Sequence, residues 1–330
     1  MFILTCQIKI GDITLNQIND VKIEKSWRNL DDKAMLKLPR VNKLLSKNFE
    51  VGQPVTITLA YEGEPSKVEF EGYLKKIKPN VPLVLECEDP TWLLRQTNIE
   101  NVWKTSTTVK EIVAYIVEQV NKENVATPIT LSEDIKKIKL DHYRIQPVSA
   151  AEAINQLKKS YGLAAYFRGH ELYIGMAYGK LEGRVGYHMA RNVIKNNLTF
   201  RRKEDVKIKV KATSITKDNK TLTIESGDKQ GDQRTLFFYN ITDENVLKAR
   251  VETELGKLKF DGFEGSLSTF LIPYATPGMT AVITDPDHPK LKNGSYVIDS
   301  VTTTFGVRGA RRKVELGALV AATTNEPDET

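Results

Sequence analysis

The side chains best suited to moving protons near neutral pH are the four histidines, His142, His170, His188 and His288. None has an acid or a cysteine at the spacing of a catalytic dyad or triad. No G-x-S-x-G, P-loop, H-E-x-x-H or C-x-x-C pattern occurs. Metal-type ligands are densest at Asp285-Pro-Asp-His-Pro289, where carboxylate oxygens and an imidazole could hold a divalent ion. Two prolines and two acids describe an inter-strand loop equally well, and no further ligand set accompanies them, so the loop is favoured and no metal or cofactor is expected. An enzyme acting on cell-wall polymer would need paired carboxylates in a common setting, and none stands out. The sequence therefore points away from catalysis.

Basic residues form the other chemical feature. Lys207, Lys209 and Lys211 alternate with Val206, Ile208, Val210 and Ala212, and Arg201, Arg202 and Lys203 lie just upstream. A period of two places the lysines on one face of a strand, which could meet a partner or could be a solvated, edge-guarding face. Arg308, Arg311 and Arg312 carry the same two readings. The balance of 48 basic against 42 acidic residues, formally +6, is a mild excess. A nucleic-acid-binding protein built on small barrels is the rival reading that this charge allows without establishing it. Trp27, Trp92 and Trp103 lack a basic aromatic repeat around them and read as packing residues rather than a base-stacking platform. Cys6 and Cys87 lie in strand-like alternation, where buried free thiols are the plain reading and a disulfide the sharper one.

The elements that must position these groups are mostly strands. Cys6, Ile8 and Ile10, then Val55, Ile57 and Leu59, Val68 and Phe70, and Leu83, Leu85 and Cys87 each alternate with polar neighbours. Such patterning gives a sheet with one buried and one wet face, and predicts a small antiparallel barrel over 1–98. An α+β domain over 99–195 follows. Thr108 and Glu111 form a capping box ahead of the stripe Ile112, Val113, Ile116, Val117 and Val120. Ser149 and Glu152 open a second helix carrying Ile154, Leu157 and Tyr161, with Gly162 as its C-terminal glycine. A hairpin is predicted from Leu163 to Ile174, turning at Arg168 and Gly169.

A second barrel is predicted over 196–320, with strands near 206–212, 221–225, 234–239, 265–272, 280–284, 295–305 and 312–316. Its covering helix begins after Thr242 and shows Leu247, Val251, Leu255 and Leu258 on one face, while Pro277-Gly278 and Asn293-Gly294 mark turns. The tail over 321–330 reads as disordered. No apolar run approaches the ~20 residues of a membrane-spanning helix, and no export signal is expected. The two β regions also echo one another: Gly52, Val55 and Ile57 recur as Gly278, Ala281 and Ile283, and Leu74 and Ile77 as Ile298 and Val301. The spacing suggests a duplicated barrel, although any two antiparallel units with glycine turns would echo to some degree.

Three stretches carry a family resemblance. Val68-Glu-Phe-Glu-Gly-Tyr-Leu-Lys-Lys-Ile77 with Leu83-Val-Leu-Glu-Cys-Glu-Asp-Pro-Thr-Trp-Leu-Leu94 resembles the first barrel of baseplate hub proteins of the phage late control protein D family. Ala150-Ala-Glu-Ala-Ile-Asn-Gln-Leu157 through Leu163-Ala-Ala-Tyr-Phe-Arg-Gly-His-Glu-Leu-Tyr-Ile-Gly175 is similar to that family's central domain. Gly294-Ser-Tyr-Val-Ile-Asp-Ser-Val-Thr-Thr-Thr-Phe305 and Arg311-Arg-Lys-Val-Glu-Leu-Gly317 look like its second barrel. The same module occurs in the type VI secretion spike protein VgrG. The resemblance implies a homotrimer whose paired barrels make a pseudo-sixfold ring between a hexameric tail tube and a trimeric spike. It places the protein in a virion tail or an injection-machine baseplate assembled in the bacterial cytoplasm. The long β-helix of VgrG has no counterpart here, which implies a separate spike protein. On this reading Lys207, Lys209, Lys211, Arg201 and Arg202 are candidates for lining a lumen through which DNA or a tape-measure protein passes.

Overall fold

A computed structural model describes residues 3–39, 49–124, 127–133, 135, 138–140, 143–161, 163–175, 181–215, 220–239, 241–259, 261–287 and 294–322. The chain is α+β and mainly β, with four helices among the described residues. Thirteen of its strands are hydrogen bonded into one sheet, and no closed barrel forms among the described residues. The physical reason is the strand Gly294–Gly306, long enough to serve both β regions. Its first part pairs with Thr280–Thr284 and its second part, Ser300–Gly306, pairs antiparallel with Asp20–Ser26. That ladder closes what would otherwise be two sheet edges.

The two β regions repeat one another in hydrogen-bonding detail. The first runs in the order Asp20–Ser26, Lys33–Leu38, Leu83–Glu88, Lys67–Lys78, Pro54–Tyr61, every pair antiparallel. The second runs Lys195–Arg201, Gly262–Thr269, Gly309–Ala322, Gly294–Gly306, Thr280–Thr284, again antiparallel throughout. Val55 opposes Gly72 as Ala281 opposes Tyr296, and Ile77 opposes Leu85 as Val301 opposes Val314. The register shifts between Leu74 and Lys76 in one unit and between Ile298 and Ser300 in the other. A β-bulge at the same place in both is not dictated by apolar alternation.

The glycine turns match as well. Gly52 has φ 93 and Gly278 φ 91, a region that side chains with a Cβ rarely enter. Gly52 N–H donates to Leu74 O at 2.8 Å, Gln53 N–H to Glu50 O at 3.3 Å, and Leu74 N–H to Gln53 O at 2.8 Å. Gly278 N–H donates to Ile298 O at 3.0 Å, Met279 N–H to Thr276 O at 3.3 Å, and Ile298 N–H to Met279 O at 2.8 Å. The units differ at their outer neighbours, since Leu4–Ile10 is antiparallel to Pro54–Tyr61 whereas Arg184–His188 is parallel to Thr280–Thr284.

Between the units lies the helical region. α1 (Thr91–Gln96), a short turn the sequence pattern did not suggest, follows Pro90. α2 (Val109–Glu123) has both hydrogen bonds of the Thr108/Glu111 capping box and buries Ile112, Val113, Ile116, Val117 and Val120. α3 (Ala150–Tyr161) starts with Glu152 N–H donating to Ser149 Oγ at 3.3 Å; Gly162 lies outside the described residues. The hairpin forms from Ala164–Arg168 and Glu171–Gly175.

The strands Ile208–Ile215, Thr221–Gly227 and Asp232–Tyr239 form a sheet of their own rather than extending the large one. α4 (Glu244–Leu258), N-capped by Asp243, covers it, so that Leu247 and Val251 join Val206, Ile208, Val210 and Ala212 in a separate small core. Leu255 packs against this core, and the side chain of Leu258 lies outside the described residues. This excursion sits between Lys195–Arg201 and Gly262–Thr269, where the first unit has only the connection 27–32.

Candidate functional site

The junction between the two β units is held by buried charge. Arg312 follows the inward alternation of Ala310 and Val314 and is 0% exposed. Its guanidinium pairs with Glu69 of the first unit, donates to Leu271 O at 2.9 Å and Pro273 O at 3.2 Å, and lies over the Tyr274 ring. Tyr61 OH accepts from Leu271 N–H at 3.3 Å beside it. On the opposite flank Asp299 accepts from Trp27 Nε1 at 2.7 Å and pairs with Arg28. The sequence placed Arg312 with its surface neighbours; the fold buries it, while Arg308 and Arg311 are exposed. An open groove of about 330 Å³ lies over this flank, lined by Ser26, Arg28, Asn197, Ser266, Asp299 and Glu315 among others.

One face of the large sheet continues across the junction, in water over its centre and buried at Glu88 and Tyr73. One cross-strand row runs Lys195, Ser268, Lys313, Thr302, Glu24, Lys33, Glu88, Tyr73, and the next runs Arg311, Thr304, Lys22, Met35, Glu86, Lys76. Basic side chains outnumber acidic ones but are interleaved with them, as in the pairs Lys22–Glu24 at 2.7 Å and Lys313–Glu315 at 3.0 Å. Lys313 and Ser300 hold the Glu315 carboxyl below its ordinary range by hydrogen bonding. The sequence showed the alternation of each strand. It could not show that the rows align across units, because that depends on which edges meet.

Of the five lumen candidates Lys207, Lys209, Lys211, Arg201 and Arg202, only Arg201 belongs to this sheet, in the edge strand Lys195–Arg201, where it pairs with Glu264 at 2.7 Å. Arg202 follows that strand. Lys209 and Lys211 lie on the small three-stranded sheet and Lys207 just before it, with Lys209 paired to Glu225 at 2.6 Å. That hydrogen bond from Lys209 lowers the Glu225 carboxyl pKa.

A second group of charges, unforeseen in the sequence, sits where the first β unit meets the central hairpin. Asp32 N–H donates to Asp89 Oδ2 at 2.9 Å, Thr91 N–H to Asp89 Oδ1 at 2.9 Å, and Ser26 N–H to Asp32 Oδ1 at 3.0 Å. Burial pushes both carboxyls up, Asp89 strongly, with the Asp32 charge adding to the rise at Asp89. Lys25 and Arg168 oppose the rise at Asp32 and line the same small pocket. Arg168 also pairs with Glu182 and donates to Pro277 O, tying the hairpin to the second unit.

The remaining candidates are dispersed. His170 meets the Tyr73 ring edge-on, and His188 Nδ1 is buried without a hydrogen-bond partner among the described residues; His142, His288, Pro289 and Asn293 lie outside the described residues, as does the tail from 323. Asp285 Oδ1 accepts from Asp287 N–H at 3.1 Å, a local turn bond. Among the described residues no group of three or more His, Cys, Asp or Glu could hold a metal, and no helix is long and apolar enough to cross a membrane. Cys6 and Cys87 are free, and burial pushes the Cys87 thiol up to about 12. Trp92 stacks on Tyr73, and Trp103 packs against Tyr115 and Tyr143.

No family model and no curated protein matches the sequence. Solved structures do match. A 43 kDa tail protein of prophage MuSo2 from Shewanella oneidensis superposes with TM-score 0.63 at 14% identity, over 95% of this chain and 97% of that one. A tail protein from Neisseria meningitidis gives 0.64 at 12% identity, over 95% and 96%. A type VI secretion system component of E. coli gives 0.56 at 10% identity, over 97% and 80%. At these identities the likeness is one of fold, and it extends over nearly the whole chain. The resemblance to baseplate hub proteins carried by the strand and turn motifs thus holds for the backbone, and this chain has the fold of prophage tail proteins and of a type VI secretion component.

Proposed function

We propose that the chain is a structural baseplate hub of a contractile phage tail or related injection machine, with three copies forming a pseudo-sixfold ring that joins the tail tube to a separate spike protein. The observation that carries this reading is the repeat itself: two β units with the same strand order, register, bulge and glycine-turn hydrogen bonds in one chain. Three chains then offer six similar surfaces to a sixfold partner. In the ring, units over 1–98 and 196–320 curve into tube-like barrels, the domain over 99–195 packs outside them, and the interleaved polar sheet face lines the passage for DNA or a tape-measure protein. Arg201 contributes to that lining, whereas Lys207, Lys209 and Lys211, with Arg202 between the two sheets, face a partner. The role is assembly, without chemistry at a catalytic centre.

The deciding experiment is mass measurement in solution, alone and with candidate tube and spike proteins. Trimers, or trimers formed with the spike, are expected, and micrographs should show a threefold ring with a central hole. A strictly monomeric chain that ignores both proteins overturns the proposal.

A further inference from the structure

A single side chain of the central hairpin reaches both β units. Arg168 lines the small pocket at the first unit, about 40 Å³ in volume, together with Lys25, Asp32, Glu71, Asp89 and Phe167. Its own hydrogen bonds lead away from that pocket. Nε pairs with Glu182 at 3.3 Å, Nη2 donates to Pro277 O, Nη1 donates to Phe167 O at 3.0 Å, and the guanidinium lies 4.5 Å from the centre of the Tyr166 ring. Pro277 belongs to the turn around Gly278 that opens the strand Thr280–Thr284, so this one guanidinium fastens the hairpin to the second unit.

Beside it is a carboxyl able to take the same guanidinium. Asp32 is 7% exposed and accepts Ser26 N–H through Oδ1, while Asp89, 3% exposed, accepts from Asp32 N–H and Thr91 N–H. The charged groups facing Asp32 are Lys25 on the strand Asp20–Ser26, Asp31 on its own connection, Glu71 on the strand Lys67–Lys78, Asp89 ahead of α1, and Arg168 on the hairpin. Asp31 is occupied by Lys33 at 3.1 Å and Arg95 at 3.6 Å. Burial raises the Asp32 carboxyl, with Lys25 and Arg168 opposing the rise, so its proton leaves above the ordinary carboxylate range. A carboxylate left in that setting needs a cation, and an arginine fork meets it with two parallel bonds that a lysine cannot make.

We infer that Arg168 is a proton-governed pin between the central hairpin and the second β unit: it holds Glu182 and the Pro277 carbonyl while Asp32 carries a proton, and turns to Asp32 when that proton leaves. The turn around Gly278 is thus fastened on the acid side and released as pH rises through the raised value of Asp32. The matched turn of the first unit has no such pin. Around Gly52 the backbone bonds repeat those of the Gly278 turn, yet the Trp92 ring, not an arginine, lies against it. The device acts on one unit of the pair and within a single chain, whatever assembly that chain enters.

Hydrogen exchange of the full chain, read by mass spectrometry from about pH 5 to about pH 8 and corrected for the intrinsic rate, tests this. Residues 50–57, the matched turn and strand, report the change that any pH-dependent loss of global stability imposes. Protection over 276–284 is expected to fall several-fold more than protection over 50–57 as pH rises. Asp32→Asn, which keeps an oxygen for Ser26 N–H, should remove that difference by leaving the turn fastened throughout. Arg168→Gln should remove it by leaving the turn released throughout. Equal changes over the two turns in the wild type overturn the inference, and so does a response that survives either substitution. Circular dichroism checks that each variant folds, and the wild-type profile with Asp32→Asn decides the matter should Arg168→Gln not fold.

Discussion

Arg312 and Glu69, 243 residues apart, form an ion pair with 0% and 4% of their side chains exposed, beside Leu271, which packs into the core of the first β unit. A buried pair of this kind is costly to break from one side, because the survivor keeps its charge without its partner. Arg312→Met is therefore expected to lower stability by about 3–5 kcal/mol. It also strips the donor from Leu271 O and Pro273 O. The double variant Arg312→Met with Glu69→Met should recover much of that loss. Urea midpoints of the three variants check this, and equal losses in the single and double variants would show that the carboxylate is not the seat of the cost.

The Asp32–Asp89 pair gives a pH dependence with a definite sign. Both carboxyls are raised in the folded chain, so the folded state holds its protons to higher pH than the unfolded state does. Their contribution is complete below about 4 and is lost as pH rises through the raised values. Asp32→Asn keeps an oxygen for Ser26 N–H and removes the charge that raises Asp89. The decline in stability from about pH 4 upward should become shallower, as read from urea midpoints across that range.

Gly52 and Gly278 occupy matching turns with φ near +90, so Gly52→Ala and Gly278→Ala should each cost about 1–3 kcal/mol from backbone strain. At Gly52 the added Cβ would also come within 2.9 Å of the Trp92 ring. Thermal unfolding of both variants tests whether the two turns are held alike.

Thr108 satisfies the Glu111 N–H at the start of α2, and Glu111 returns a bond to the Thr108 N–H. Thr108→Ala is expected to cost about 1 kcal/mol, while Thr108→Ser should be close to neutral. Helical circular dichroism during unfolding separates the two.

The sequence by itself determined what is local. The period-2 runs became strands, the Thr108/Glu111 box became the start of α2, and Gly52 and Gly278 became turns, because each depends on residues within a few positions. The echo between the β regions was also legible, since matched turns leave matched spacings. Tertiary structure decided which edges meet. The length of Gly294–Gly306 joined the two β regions in one sheet, and strands 208–239 with α4 formed a separate unit. The same partnering turned Arg312 inward while Arg311 stayed in water, and aligned Lys22, Glu86 and Lys76 in one row. A strand's alternation fixes which residues share a face, but only its partners decide which face is covered, and those partners lie hundreds of residues away.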